Sequence, residues 1–298
     1  MITYLLLAML CLIWGVTWVV IKIGLTDSPP FLSAAFRFMI AVVILGAIII
    51  WKKKPRLRGA ATWWRVLFPG VFMYFFSYAA VYYAEQYISA ALTAVTFATF
   101  PFFVALLAHF YLPNERLTAI KLFGLLVGFA GIVVIFHDQL AVPDPKVLPA
   151  MFVALISPLS AALAAVWLKK YVTDVDAVTA TFWQMLVGIA LLLPLGLGLE
   201  KLSDFRWTIT AIGSATALGV FGSALAFVVY LRLLKTEEAT RVSLIAFVTP
   251  IVASVTGWIV LGENLTAGII SGGFLVLAGV YCVLVWAPRR MRRRPAIH

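Results

Sequence analysis

Charge is what this sequence has least of. Only 12% of its 298 residues are Asp, Glu, Lys or Arg, against about 25% in an ordinary soluble domain. Its twelve acids fall in connectors or near helix ends, and none stands in the middle of an apolar run. A buried carboxylate relay or a sodium cage therefore lacks ready ligands. Histidine and cysteine are also scarce, at three and two residues. No group of His, Cys and acids has the spacing of a metal site, and no Ser-His-acid arrangement emerges. The dipeptide Gly-Lys is absent, which removes the phosphate-binding loop of an ATPase. These absences argue against an enzyme and imply neither metal nor cofactor. Cys11 and Cys282 lie inside apolar runs, where thiols are inert packing groups rather than a disulfide.

What remains is hydrophobic: 64% of the chain, 14% of it aromatic. A bilayer core of about 30 Å needs roughly 20 apolar residues per helix. Ten such runs can be read, at about 3–23, 31–51, 66–86, 88–112, 118–137, 147–168, 177–198, 208–233, 240–261 and 266–287. They are too long and too uniformly apolar for barrel strands, so the expectation is an all-α integral membrane protein. The first run exceeds a signal-peptide core and has no small-residue cleavage site after it, so it reads as a span.

Basic residues set the orientation. One set of connectors, with the tail, holds 18 of the 23 Lys and Arg, from Lys52–Lys54, Arg56, Arg58 and Arg65 through Arg116, Lys121, Lys169, Lys170, Arg232, Lys235 and Arg241 to 289–294. The other set has only Lys146, Lys201 and Arg206, with Lys22 and Arg37 in helix ends. Both termini are therefore expected in the cytoplasm, with the basic stripe on anionic headgroups. The net charge of +11 is a topology signal, not a nucleic-acid site.

The second half weakly repeats the first. Glu115, Gly124 and Gly131 recur 148 positions later as Glu263, Gly272 and Gly279, and Pro101 answers to Pro250. The organisation expected is a first five-helix repeat at 1–138, an outer linker at 139–146, a second repeat at 147–288 and a basic tail at 289–298. Five is odd, so the copies are inverted, with the working site in a central cavity between them.

Candidate site residues follow from helical spacing. Tyr74, Tyr78 and Tyr82 stand at steps of four in the third run, and buried phenols want polar partners. Ser223 and Phe227, with Tyr230 adjacent, lie on the related face of the eighth run; Trp14 and Trp18 pair in the first, and Gln184 falls early in the seventh. Gly15, Pro101, Pro158 and Pro250 are candidate kinks or gates. Prolines 101 and 250 would free the carbonyls of Phe97 and Ala246 to meet an ammonium group. Arg37, six residues into its run, is either one of a buried pair or a contact for a substrate carboxylate. His109 reads as structural. Gly124, Gly128 and Gly131 suit helix contacts within the chain or between chains.

These marks resemble the drug/metabolite transporter superfamily, in its EamA-like branch: Trp14-Gly15, Pro29 or Pro30 followed by Arg37, Tyr82 through Ala90-Ala91 to Pro101, Glu115 with its glycines, and Ala239 through Pro250 and Glu263 to Gly279. The sixth run departs, with Ser157-Pro158 in place of Trp-Gly. The resemblance implies ten helices in two inverted repeats around a cavity built mainly by the third, fourth, eighth and ninth. It also implies a bacterial inner-membrane exporter of small organic solutes, often amino acids. Together with the aromatic stripes, this gives an expected secondary transporter of uncharged or zwitterionic metabolites, amino acids with large apolar or aromatic side chains above all. The partners implied are a small-molecule solute and the lipid bilayer; a carrier of nucleotide sugars or cationic drugs, or a non-transporting membrane protein, is the alternative.

Overall fold

A computed structural model describes residues 2–84, 86–88, 93, 96–135, 137, 146–261 and 267–286. Among them there is no strand. Eight helices are long and apolar enough to cross a membrane: α1 (Ile2–Gly24), α2 (Pro30–Trp51), α3 (Ala60–Ala84), α6 (Val147–Tyr171), α7 (Ala177–Leu199), α8 (Ile209–Thr236), α9 (Ala239–Val260) and α10 (Ala267–Val285). Two shorter apolar helices, α4 (Phe100–Tyr111) and α5 (Ala119–Ile135), complete the series. The expected linker at 139–146 falls almost wholly outside the described residues, as do Glu263 and the basic tail.

Polar residues start the helices where the chain leaves the apolar layer. Pro30 opens α2, and the Glu200 carboxylate accepts from the Phe31 and Leu32 amides at 2.7 and 2.8 Å. Asp176 caps α7, accepting from Val178 and Thr179, and pairs with Lys54 at 2.9 Å. Burial alone would raise the Asp176 carboxyl, but the Lys54 ammonium and the two amides outweigh it and hold it below its usual range. Thr208 caps α8 and donates to Asp27 at 2.7 Å.

Such contacts sort the connectors into two ends. Lys54 with Asp176, Arg65 with Asp174 at 3.0 Å, and Lys121 with Glu238 at 2.8 Å tie together one of them, the basic end. Asp27 with Thr208, and Glu200 with the start of α2, tie together the opposite end. Between them the outward surfaces are apolar, with Val43, Phe110, Phe152 and Phe274 exposed, as expected of faces meeting lipid tails. Trp51, Trp64 and Trp207 are exposed near helix ends, where tryptophan anchors to headgroups.

The packing pairs follow a pattern. α5 lies on α10, α2 on α7, α1 on α9, α4 on α6, α2 on α8, and α3 on α7. Exchanging each helix for the one five later leaves this set unchanged. The first two pairs join a helix to its own counterpart, and both run antiparallel. Gly124 lies against Gly279 and Gly131 against Gly272, while Leu32 meets Gly196 and Phe182 meets Gly46. A Cβ on Gly131 would stand 2.6 Å from the Gly272 carbonyl oxygen, and one on Gly272 2.5 Å from that of Gly131. Gly128 faces the Phe247 ring, so this glycine stripe packs within the chain.

Besides the end of α10, which is π-helical over Cys282–Trp286, two helices depart from α geometry at related places. Val71–Phe76 of α3 is a π-helical stretch, and so is Leu218–Leu225 of α8. The first, moved on by the repeat offset of 148, falls inside the second. A π turn inserts one residue into the helical repeat and rotates the residues beyond it.

Filling the glycine seam tests it. Gly131→Leu forces two backbones apart and is expected to cost at least the ~1–3 kcal/mol of an overpacked core, lowering the unfolding temperature in detergent. Gly198→Leu, a site with nothing within 4 Å of an added Cβ, leaves that temperature unchanged.

Candidate functional site

A cavity of about 140 Å³ lies among α1, α2, α3, α4, α6, α8 and α9. That is the scale of an interior space that takes up a benzene ring (~150 Å³). α1 supplies Trp14, Thr17, Trp18 and Ile21, one stripe at steps of three and four; α3 supplies Tyr78 and Tyr82, and α8 supplies Phe227 and Tyr230. Phe97 lies just before α4, and Ala246 belongs to α9. Eight of the eleven residues proposed from the sequence therefore meet around one space: Trp14, Trp18, Arg37, Tyr78, Tyr82, Phe97, Phe227 and Ala246.

The other three stand behind that wall. Tyr74 is buried against Gly188 of α7, Phe38 and Phe227. The π turn shifts the register between Tyr74 and Tyr78, so the three tyrosines do not form one face. Gln184 is buried against Gly70, on a helix that contributes nothing to the lining, because α7 spends its faces on α2 and α3. Its amide nitrogen has no partner among the described residues. Ser223 does not line the cavity but accepts from Arg37 Nε at 3.1 Å.

Aromatic contacts lock the walls. The Trp14 ring lies 5.4 Å from those of Phe227 and Tyr230, and its Nε1 donates to the Gly222 carbonyl in the π stretch of α8 at 3.2 Å. Arg37 is 2% exposed. Its guanidinium sits 5.6 Å from the Phe38 ring centre and 5.5 Å from that of Tyr78, within the reach of cation–π attraction. It forms no ion pair with an acid among the described residues. Ser77 and Ser157 share a hydrogen bond of 2.8 Å, so the polar floor joins α3 to α6.

The candidate kinks resolve differently from one another. Gly15 bends nothing: α1 is continuous through it, and a Cβ there would sit 2.4 Å from Val252 of α9. Its small size is needed for a crossing. Pro101 stands in the first turn of α4, where a missing N–H is harmless, after a turn at Ala98 and Thr99. Pro158 and Pro250 do lie inside helices. α9 is interrupted earlier, at Leu244. The Ala246 carbonyl accepts from the Thr249 hydroxyl at 3.4 Å, so it is not wholly free for a ligand.

Sequence reading passed over Thr17, Ser77, Thr249 and the cavity role of Tyr230. For Thr17 and Tyr230 the signal was present as spacing from Trp14 and Phe227. It also did not foresee the work of Glu115. This residue, 4% exposed, reaches from the first half to the first turn of α9, accepting from the Ala239 amide at 2.9 Å and the Thr240 amide at 3.4 Å. Burial pushes its carboxyl up, while the two amides and nearby Lys169 draw it back. Lys121 binds Glu238, Lys169 binds the Glu237 carbonyl, and Arg241 stands near both glutamates. These contacts tie both halves together at the basic end, beside the helix that supplies Val242, Ile245 and Ala246 to the cavity. His109 is exposed and accepts, at 3.4 Å, from the Leu117 amide.

Apolar helices from both halves, enclosing an aromatic cavity, define a membrane transporter of small solutes. A model of the EamA-like transporter family matches residues 1–137 and again 148–285. The chain belongs to the EamA-like transporter family. It is 28% identical over 270 residues to the uncharacterized transporter YoaV of Bacillus subtilis (strain 168), covering 91% of this chain and 92% of that one. It is 26% identical over 260 residues to the uncharacterized inner membrane transporter YedA of Escherichia coli (strain K12), covering 86% and 82%. A solved crystal structure shares the fold with a TM-score of 0.82 at 18% identity, over 97% of this chain and 98% of that one.

Releasing the Glu115 grip should open the basic end. In Glu115→Ala, a cysteine placed at Val242 reacts with a water-soluble maleimide added from that end at least fivefold faster than in the parent bearing Glu115. Equal rates would remove Glu115 from the closure.

Proposed function

We propose that the protein is a secondary transporter that exports small metabolites by alternating access, without catalysis. The solutes carry a large apolar or aromatic body, amino acids of that kind included. Ten spans form two inverted five-helix repeats, in a bacterial inner membrane with both termini cytoplasmic. The observation that carries this reading is the aromatic cavity, walled by α1–α4 from one half and α6, α8 and α9 from the other. Rocking one half against the other exposes such a space to each side in turn. The antiparallel α5–α10 and α2–α7 pairs, and the twofold match of the family model, support the inverted plan. The likeness to YedA, an inner membrane transporter, supports the inner membrane. Lys and Arg at the basic end support its cytoplasmic placement.

Purified protein in liposomes tests this. Labelled tryptophan, phenylalanine, methionine, threonine and a nucleotide sugar are compared, with the first two expected fastest. Tyr78→Ala and Trp14→Ala are expected to reduce tryptophan flux at least tenfold, since each removes a wall of the cavity. Unchanged flux in both variants would place the solute elsewhere.

Sidedness is checked separately. A cysteine replacing Arg116 and one replacing Lys201, both at exposed positions, should label from opposite compartments. Labelling from the same side would end the inverted plan.

A further inference from the structure

Among the described residues, the cavity wall carries one charge, that of Arg37, and no acid to balance it. A buried guanidinium without a counter-ion is costly. Here it is held in place by Ser223 on Nε and by the faces of Phe38 and Tyr78. None of these is an anion. A second group on the same wall is also unspent: the Tyr230 hydroxyl is buried and has no partner among the described residues.

Among the described lining residues the opposite charge finds no carboxylate to meet. An ammonium group wants carboxylates or free carbonyls. The Ala246 carbonyl on this wall already accepts from the Thr249 hydroxyl. The Tyr78 face, which could otherwise receive a cation, is already taken by Arg37.

Resting on the transport reading above, we infer that Arg37 and Tyr230 form a carboxylate site, and that the preferred solute is a monoanionic aromatic or branched carboxylate rather than a zwitterion. The guanidinium takes the two carboxylate oxygens through its free N–H groups, and Tyr230 adds a third donor. The body of the solute lies between Trp14, Phe227 and Tyr82. A phosphate ester, with two charges, would need a second cation that the lining does not offer. Export of such an anion carries one negative charge outward with each turnover, so an inside-negative potential drives it.

The test uses the full chain in liposomes at pH 7.5, with leak into protein-free liposomes subtracted. Three solutes of one size are compared: 3-phenylpropionate, phenylalanine and phenethylamine. Flux of 3-phenylpropionate is expected at least tenfold above that of phenylalanine, with none for phenethylamine. It should accelerate when a potassium–valinomycin potential favours anion movement. Tyr230→Phe is expected to raise the half-saturating concentration of 3-phenylpropionate about tenfold. Arg37→Met abolishes the difference between the two solutes, and Arg37→Lys keeps part of it. Should Arg37→Met fail to fold, the wild-type comparison decides alone. Phenylalanine moving as fast as 3-phenylpropionate, or flux indifferent to potential, would overturn the carboxylate assignment and leave the transport reading standing. Movement of none of the three, nor of any amino acid or nucleotide sugar in the liposome panel, would overturn both.

Discussion

Two backbones meet with no side chains between them where α5 crosses α10. The glycine pairs bring a carbonyl of each helix within reach of the other's Cα, a distance that any larger residue forbids. Because the lipid surroundings offer helices no hydrophobic reason to associate, close contact of this kind is what holds them together. It also fixes direction, since residue numbers rise along α5 as they fall along α10. Once that pair and the similar α2–α7 pair are set, the remaining helices have little choice but to wrap a space drawn from both halves. The cavity is thus a consequence of how the periphery packs.

The two ends of that space are held by different means. At the basic end an acid from the first half grips the first turn of α9, the helix that also supplies Val242, Ile245 and Ala246 to the cavity. Glu115 therefore connects a polar surface contact to the shape of the apolar interior within two turns of helix. At the other end Glu200 grips the start of α2 in a comparable way, one turn or two from Arg37. In both cases a carboxylate from one half satisfies amides that would otherwise be orphaned at the helix start of the other. Such contacts are strong when made and simple to break, because the amides have water as an alternative partner.

Much of this was legible in the sequence. Apolar length and the scarcity of charge dictate the membrane helices, and the even spacing of Trp14 and Trp18 marks a cavity face without further help. What spacing did not convey was interruption of the helical period. The stretch Val71–Phe76 is apolar throughout and carries no sign of a π turn, yet that turn parts Tyr74 from Tyr78. Glycine and proline were ambiguous for another reason. Whether Gly15 bends a helix or admits a neighbour depends on Val252, which is 237 positions away and visible only in three dimensions. Gln184 was misplaced likewise, since nothing local says that α7 faces α2 and α3 instead of the centre.

Joining both halves in a single polypeptide has a chemical dividend at Arg37. The residue 148 positions on is Met185, which is fully buried. Had one gene encoded a half-sized subunit that paired with itself, symmetry would have demanded two interior guanidinium groups or none. A single chain holding both halves is free of that bind, because one half can change while the other keeps a different residue. Among the described lining residues the charge of Arg37 has no match from the second half, so the two sides of the cavity wall differ in chemistry, and the wall can tell one end of a molecule from the other.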